Sequence, residues 1–510
     1  MAGASFPAAA PKPLRGTTGA QRQKTVTGCI GCRLRRKKCD ETRPQCLGCG
    51  RNGLLCVFPE AGNEEHARLL RRTNCTRKQP VYETGKHQVD PNISHSSTRL
   101  EDLSSPRMLG IEQCMVPGNH HLRQPASQRL LHHYINRTSK AMATCRDVES
   151  PFLTELIPVA MANDELVLNA ILACSGIHLA ALSGSVVDAT TWVHYGQAVQ
   201  NQKFALTQLV QGSSRPLVSA TITAILLCIA ETFLAGAGKQ AMNHLKAAQA
   251  MMRQVLDLPK EMLDKGVRTF LVERVSYMIT LAHVSLGSTH DQSILNDTAV
   301  LFSSIHSMPL IQGSSSSGCV HDLFWLIPQV SAIAHRASNE IRSVAQFTPE
   351  IIAEYQSLLC SVSSWEPKSG DEIYNSCGRV YQQALLVYLA SVFDAESLSH
   401  PASKSAYSSM IHKAFECIEG LLDLSTLNAT RITTTLCWPL AIFGACARTR
   451  VHQTFIDTKL ATIAEAYASQ SVRDTRDLLQ RLWSSNNPRT YSPLELEQLM
   501  QEDDVTILFL

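Results

Sequence analysis

Apolar residues recur at helical spacing through most of the chain after about residue 127. The segment Leu130–Ile135 opens this pattern, because its apolar side chains fall on one face of a helix. The stretch from Leu166 to Leu182 is apolar nearly all round, which is typical of a helix buried at the centre of a domain. The preceding Asn163-Asp164-Glu165 predicts an N-cap and an acidic first turn for that helix.

The same periodicity predicts a series of further helices. Val218–Leu227 is rich enough in β-branched residues to suggest a strand, but its length and surroundings favour a helix. The predicted helices lie near residues 190–211, 217–235, 239–256, 267–286, 321–341, 348–361, 371–398, 404–424, 430–450 and 457–484. This part of the chain is therefore predicted to be a large all-α domain.

Changes in this pattern divide the chain into segments. Residues 1–24 are rich in Ala, Pro, Gly and Thr, and residues 61–125 are polar and interrupted by five prolines. Both are predicted to be disordered, the second as a linker. Between them, residues 25–60 hold six closely spaced cysteines. The helical domain is predicted to cover residues 126–492, and residues 493–510 form an acidic-hydrophobic tail.

Charge is distributed unevenly between these segments. Residues 1–60 hold eleven Lys and Arg against three Asp and Glu, so their net charge is +8. The rest of the chain carries −5, and the whole chain carries only +3. A basic head on a mildly acidic body is typical of a nucleic-acid-binding module attached to a separate globular domain.

The six clustered cysteines repeat one spacing, C-x2-C-x6-C, on either side of a six-residue spacer. Thiolates at such short spacing favour tetrahedral zinc. Six sulfurs complete two tetrahedral sites only if two of them bridge both ions, and we predict that these are the cysteines that open the two halves. The predicted ligands are Cys29, Cys32, Cys39 and Cys46 for one Zn2+ ion, and Cys29, Cys46, Cys49 and Cys56 for the other.

Two other interpretations of the six cysteines are disfavoured. Three disulfides would suit a short secreted chain, whereas this chain has 510 residues and its first residues are not expected to form a signal peptide. A zinc module used only for protein contact would leave the adjacent basic run from Arg33 to Lys38 without a role. The eleven remaining cysteines are scattered singly, which fits free thiols in a reducing compartment, and Cys174 and Cys228 are predicted to be packing residues.

Residues Cys29 to Cys56 resemble the fungal Zn(II)2Cys6 binuclear-cluster transcription factors. The family pattern C-x2-C-R-x-R-[RK]-x-K-C-x6-C-x2-C-x6-C is met at every position, with Pro44 in the loop between the halves and Phe58 soon after the last cysteine. The resemblance implies that the first helix enters the DNA major groove and reads a CGG-type triplet. The residues it implies for DNA contact are Arg33, Arg35, Arg36, Lys37, Lys38 and Arg51.

The residues after the linker resemble the all-helical fungal-specific transcription factor domain of the arginine-catabolism-regulator type. The matching pieces are Leu130–Tyr134, Ala170–Gly176, His244–Ala248 and Trp438–Leu440 with Gly444. This resemblance implies a regulatory domain in the nucleus, with a coactivator or corepressor and a small-molecule effector as expected partners. No heptad is sustained after the cluster, so dimerisation is left open.

Motifs for catalysis or membrane insertion are not found. The sequence holds no G-x-S-x-G, no H-E-x-x-H and no complete P-loop, since Gly236-Ala-Gly238-Lys239 fits an interhelical turn better. No run reaches 18 apolar residues, so no membrane partner is expected. His178, on an apolar helix, is interpreted as a hydrogen-bonded core histidine rather than an effector contact.

Two functions remain after this reasoning. The first is a zinc-dependent, sequence-specific DNA-binding transcription factor that controls a metabolic or secondary-metabolite gene set and is not an enzyme. Its alternative is a helical effector-binding protein whose zinc module makes protein or nonspecific nucleic-acid contacts. For residues 493–510, an activation segment competes with a last helix and tail docked on the body.

Overall fold

A computed structural model describes residues 38–43, 46–47, 120–143, 150–162, 164–286, 321–344, 347–367, 372–397, 409–419, 433–484 and 491–509. The chain forms two compact units, Met1–Pro106 and Arg107–Leu510, and each is considered by itself. Most of the predicted linker, and all of residues 1–24, lie outside the described residues. The second unit is called the body below.

The described residues of the body form helices joined by turns and loops, with no strand among them. Short helical segments lie at His120–Arg123, Tyr134–Thr138 (a π-helix), Ser139–Ala141, Pro151–Thr154, Leu156–Met161, Lys260–Met262, His321–Phe324 and Thr433–Leu436. The longer helices are α1 (Pro125–His133), α2 (Glu165–Ser183), α3 (Ala189–Val210), α4 (Leu217–Glu231), α5 (Gly238–Asp257), α6 (Lys265–Leu286), α7 (Leu326–Val344), α8 (Pro349–Ser363), α9 (Glu372–Ser397), α10 (409–419), α11 (Cys437–Ala445), α12 (Arg450–Tyr467), α13 (Gln470–Ser484) and α14 (Pro493–Glu502).

Helices α2 and α4 form the core of the first half of the body. Asp164 caps α2 as predicted, since its carboxylate accepts hydrogen bonds from the backbone N–H groups of Leu166 and Val167. α4 packs against α2, α3 and α5, and thirteen of its residues are buried. The prediction of a helix at Val218–Leu227 is confirmed, because burial on all sides overrides β propensity. Gly236 turns the chain into α5 with φ of 69°, which confirms the predicted interhelical turn.

Helix α11 forms the core of the second half of the body. All of its residues are buried, and it packs against α9, α12, α13 and α14. The Trp438 ring stacks on Tyr381 of α9, with ring centroids 5.8 Å apart and an interplanar angle of 5°. Such an offset aromatic pair contributes about 0.5–1.5 kcal/mol beyond the burial of its area, so it ties α11 to α9.

The prediction of one helix over residues 457–484 was wrong. Two helices, α12 and α13, are separated at Ala468, which has φ of 53°. The Ser469 hydroxyl then accepts a hydrogen bond from the backbone N–H of Val472 and begins α13. The break lets α13 fold back along α12, where Arg476 forms an ion pair with Asp457 at 2.7 Å.

The C-terminal residues pack into the same core. Leu496 and Met500 of α14 are buried, and so are Ile507, Leu508 and Phe509 beyond it. The Thr506 carbonyl lies so close to Gly238 that a Cβ atom at that position would collide with it. Glycine at the start of α5 therefore permits a close approach of the C-terminal backbone.

By length and composition, α2 could cross a membrane. In the structure most of its apolar stretch is buried against neighbouring helices, as in the core of a globular domain.

Two buried histidines of α2 and α3 are held by polar partners. His194 contacts Asn169 Oδ1 through Nδ1 at 2.8 Å and Ser127 Oγ through Nε2 at 2.9 Å. His178 Nδ1 lies 3.0 Å from Thr138 Oγ1, at the end of the π-helix. The interpretation of His178 as a hydrogen-bonded core histidine is confirmed. Burial lowers the pKa of each imidazole to about 4.

Gly176→Ala should destabilise the body, because its Cβ would collide with Thr191 of α3, whose Cγ2 atom would lie only 2.6 Å away. Overpacking of this kind lowers the free energy of unfolding by about 1–3 kcal/mol. The higher helix propensity of alanine offsets about 1 kcal/mol of that loss. All five tryptophans lie in the body, so denaturant unfolding followed by tryptophan fluorescence measures the loss. Gly196→Ala on α3 is the matched control: nothing lies within 4 Å of its Cβ position, and it should be neutral or stabilising. Equal effects of the two substitutions would contradict the close α2–α3 contact.

The body should lose stability as the pH falls from 6.5 to about 4. Within this window the unfolded chain protonates His194, whereas the folded body, with a histidine pKa of about 4, does not. His194→Gln should therefore flatten the dependence of the free energy of unfolding on pH by up to about 1.4 kcal/mol per pH unit. The exposed His132 of α1 provides a control, His132→Gln. An unchanged slope in His194→Gln would show that this imidazole titrates normally.

Candidate metal centre

The structure describes part of the predicted metal centre: Lys38–Arg43, Cys46 and Leu47. The other predicted residues lie outside the described residues, namely Cys29, Cys32, Cys49, Cys56, Arg33, Arg35, Arg36, Lys37 and Arg51. The described part is the junction between the two cysteine repeats, where the third predicted ligand is followed by the fourth.

Cys39 and Cys46 come together although seven positions separate them in the chain. Cys46 is fully buried and Cys39 is 9% exposed. Their sulfurs and a carboxylate oxygen of Asp40 all lie within 4.8 Å of one another. Neither cysteine is in a disulfide, which argues against the disulfide interpretation for these two residues. Two adjacent thiols suit a zinc ion, which prefers tetrahedral sulfur ligands, so the residues present fit the predicted metal.

The turn after Cys39 brings a backbone donor to its sulfur. Glu41 adopts the left-handed conformation with φ of 60°, and its N–H donates to Cys39 Sγ at 3.4 Å. The turn thus places one backbone N–H against the sulfur of the third predicted ligand.

Asp40 is a residue of this centre that the sequence analysis did not single out. Its Oδ2 atom accepts hydrogen bonds from the backbone N–H of Leu47 at 2.7 Å and from Thr42 Oγ1 at 3.2 Å. The Leu47 N–H holds the pKa of Asp40 below its ordinary value. Local sequence rules do not predict this contact, because aspartate commonly binds backbone N–H groups two or three residues ahead, whereas Leu47 lies seven residues after Asp40.

Positive side chains flank the centre. Lys38 precedes Cys39 directly and is exposed, as is Arg43 in the turn. The Cys39 sulfur is buried, whereas the adjoining Lys38 is exposed. The segment is therefore arranged to hold a metal on one side and to present positive charge to a partner on the other.

Within the described residues of the body, no group of three His, Cys, Asp or Glu side chains is placed to hold a metal. Burial raises the pKa of Cys174, Cys377 and Cys437 to about 12 and raises that of Cys228 still further. Thiols of this kind stay protonated and unreactive. The interpretation of Cys174 and Cys228 as packing residues is confirmed.

Two family models match the chain. Residues 27–64 match the fungal Zn(2)-Cys(6) binuclear cluster domain. Residues 129–510 match the fungal specific transcription factor domain, which is more than half of the chain. No solved structure matches.

Curated relatives match shorter stretches. A transcriptional regulatory protein of Neurospora crassa is 33% identical over 108 residues, which are 18% of this chain and 16% of the relative. The Zn(2)-C6 fungal-type transcription factor afumD of Aspergillus fumigatus is 50% identical over 42 residues, 8% of this chain and 11% of that protein. The ustiloxin B cluster transcription factor ustR of Aspergillus flavus is 32% identical over 108 residues, 18% of each chain.

A buried cysteine pair suited to zinc thus lies in a segment that matches the binuclear cluster domain, and the helical body matches the fungal specific transcription factor domain. The chain belongs to the family of fungal Zn(2)-Cys(6) transcription factors.

Proposed function

We propose that this protein is a nuclear regulator of RNA polymerase II transcription whose zinc module reads CGG-type triplets in double-stranded DNA. The observation that carries the proposal is the buried sulfur pair of Cys39 and Cys46 directly beside the exposed Lys38. Family membership supports DNA-binding transcription regulation, and the triplet, the target genes and the nuclear location are the finer parts of the proposal.

In this proposal six thiolates hold two Zn2+ ions, with Cys29 and Cys46 shared between them. Zinc would supply the cross-links that fold a module too small to fold on apolar burial. The chain contributes the ligands, the turn at Glu41 and the hydrogen bonds of Asp40, which together shape the junction.

Sequence readout is assigned to two arginines. Arg35 and Arg36 occupy the family positions for contact with base edges, and an arginine can donate two hydrogen bonds to O6 and N7 of guanine. Arg33, Lys37, Lys38 and Arg51 are proposed to contact phosphates. Contacts of that kind give affinity that falls as salt rises, and the net charge of +8 over residues 1–60 supports it.

The proposed role of the helical body is regulation. A coactivator or corepressor and a small-molecule effector are the expected partners, and dimerisation stays open. The name of the Aspergillus flavus relative refers to the ustiloxin B cluster, and a metabolic or secondary-metabolite gene set is the proposed target of this chain. The alternative, a helical effector-binding protein with a nonspecific module, predicts no sequence preference.

For the C-terminal tail, the buried positions of its apolar residues support docking rather than activation. An activation segment presents apolar side chains to a coactivator, whereas Leu496, Met500 and Phe509 face the core of the body. The docked tail is therefore the proposed form.

Selection from a random duplex pool with the full-length protein should recover CGG-type triplets, and a zinc chelator should abolish the enrichment. Arg35→Ala or Arg36→Ala should weaken binding to the recovered site by roughly 1–3 kcal/mol, about 5- to 150-fold, because a bidentate guanine contact is lost. Arg43→Ala removes an exposed cation from the same module and should cost much less. Zinc binding without any enriched sequence would favour the alternative function.

Phe509→Ala should lower the free energy of unfolding of the body by about 3–5 kcal/mol, because it removes a fully buried aromatic ring. Val505→Ala is the control within the same segment, since Val505 is 41% exposed and exposed substitutions change stability by about 0.5 kcal/mol or less. A Phe509→Ala variant with unchanged stability that loses reporter activation would instead favour the activation segment.

A further inference from the structure

The carboxylate of Asp40 connects the two halves of the cysteine repeat. Asp40 follows Cys39, the last predicted ligand of the first half, and its Oδ2 atom accepts the N–H of Leu47 at 2.7 Å. Leu47 follows Cys46, the first predicted ligand of the second half. One short hydrogen bond therefore links the residues that come directly after the two ligands.

A carboxylate at position 40 is electrostatically unfavourable beside a cluster of thiolates, so the contacts that hold it there are of interest. Asp40 lies against the side chain of Cys46, and with six thiolates on two Zn2+ ions the proposed cluster carries a charge of −2. A further negative charge beside it is repelled. The hydrogen bonds from Leu47 and Thr42, which both converge on Oδ2, are the favourable contacts that offset this repulsion.

Direct ligation is the competing explanation, because an oxygen of Asp40 lies within 4.8 Å of both sulfurs. Six thiolates with two bridging sulfurs already supply eight metal bonds, so no tetrahedral position remains for a carboxylate. Asp40 is also bound on its Oδ2 atom by a backbone and a side-chain donor, so protein groups already occupy that oxygen.

We propose that Asp40 is a positioning residue of the zinc cluster: its carboxylate holds the Leu47 N–H and thereby keeps the bridging ligand Cys46 beside Cys39. The proposal rests on the proposed binuclear cluster. Groups that orient metal ligands without touching the metal typically change metal affinity by about 10- to 100-fold when they are removed.

Two substitutions distinguish a positioning role of Asp40 from an effect of its negative charge. Asp40→Asn removes the charge but keeps a carbonyl oxygen that can accept the Leu47 N–H, whereas Asp40→Ala removes both. A positioning role requires rescue by asparagine. A role of the charge alone would make the two variants behave alike, and both would release zinc more slowly than the wild type because a repulsive charge is gone.

The experiment measures zinc content and the rate of zinc transfer to a chromogenic chelator for the full-length protein. We expect release about 10- to 100-fold faster from Asp40→Ala, and release from Asp40→Asn within about 3-fold of the wild type. Thr42→Ala, which removes only the longer of the two hydrogen bonds to Oδ2, should accelerate release far less than Asp40→Ala. Tryptophan fluorescence, which reports only the body, confirms that each variant is otherwise folded.

Substitution of cobalt for zinc tests direct ligation. The thiolate-to-cobalt absorption per bound ion should be unchanged in Asp40→Ala, and two ions should still bind. If Asp40→Ala bound one cobalt ion fewer or had an altered absorption spectrum, Asp40 would be identified as a ligand and the proposal overturned. Equal zinc release rates from Asp40→Ala and the wild type would also overturn the proposal, because Asp40 would then have no positioning role. A wild-type protein that binds no zinc would instead overturn the proposed cluster itself.

Discussion

The body depends on the burial of whole helices rather than helix faces. In α11 every residue is buried, and in α4 nearly every residue is. A helix that is apolar on every face must be covered on all sides, so several other helices have to pack around it. Helices α9, α12, α13 and α14 surround α11, and α2, α3 and α5 surround α4. The buried imidazole of His194 is hydrogen-bonded at both ring nitrogens, by Asn169 and Ser127.

The cysteine module is stabilised differently from the body. Its short sequence offers few apolar residues, so its order comes from donor atoms brought together by turns: the Cys39 and Cys46 sulfurs, the Glu41 N–H and the Asp40 carboxylate. Structure at this site depends on a few directional contacts instead of a large buried area. A single side chain such as Asp40 can therefore matter as much here as a whole layer of packing does in the body.

The sequence predicted what depends on composition and spacing, and missed what depends on single backbone conformations. The residue types at Asp164 and Gly236 are typical of a helix cap and of a turn, so both features could be predicted. The spacing of the cysteine repeat likewise predicts a metal site. The break between α12 and α13 lies at Ala468, a strong helix former that is buried and adopts a positive φ. Asp40 was missed for a related reason, because its role follows from a hydrogen bond to Leu47, seven residues away.

The buried cysteines of the body have a consequence for oxidative chemistry. An oxidant attacks the thiolate form of cysteine, and burial keeps Cys174, Cys377 and Cys437 protonated by raising the pKa of each to about 12. These three thiols therefore resist oxidation for as long as the helices around them stay packed.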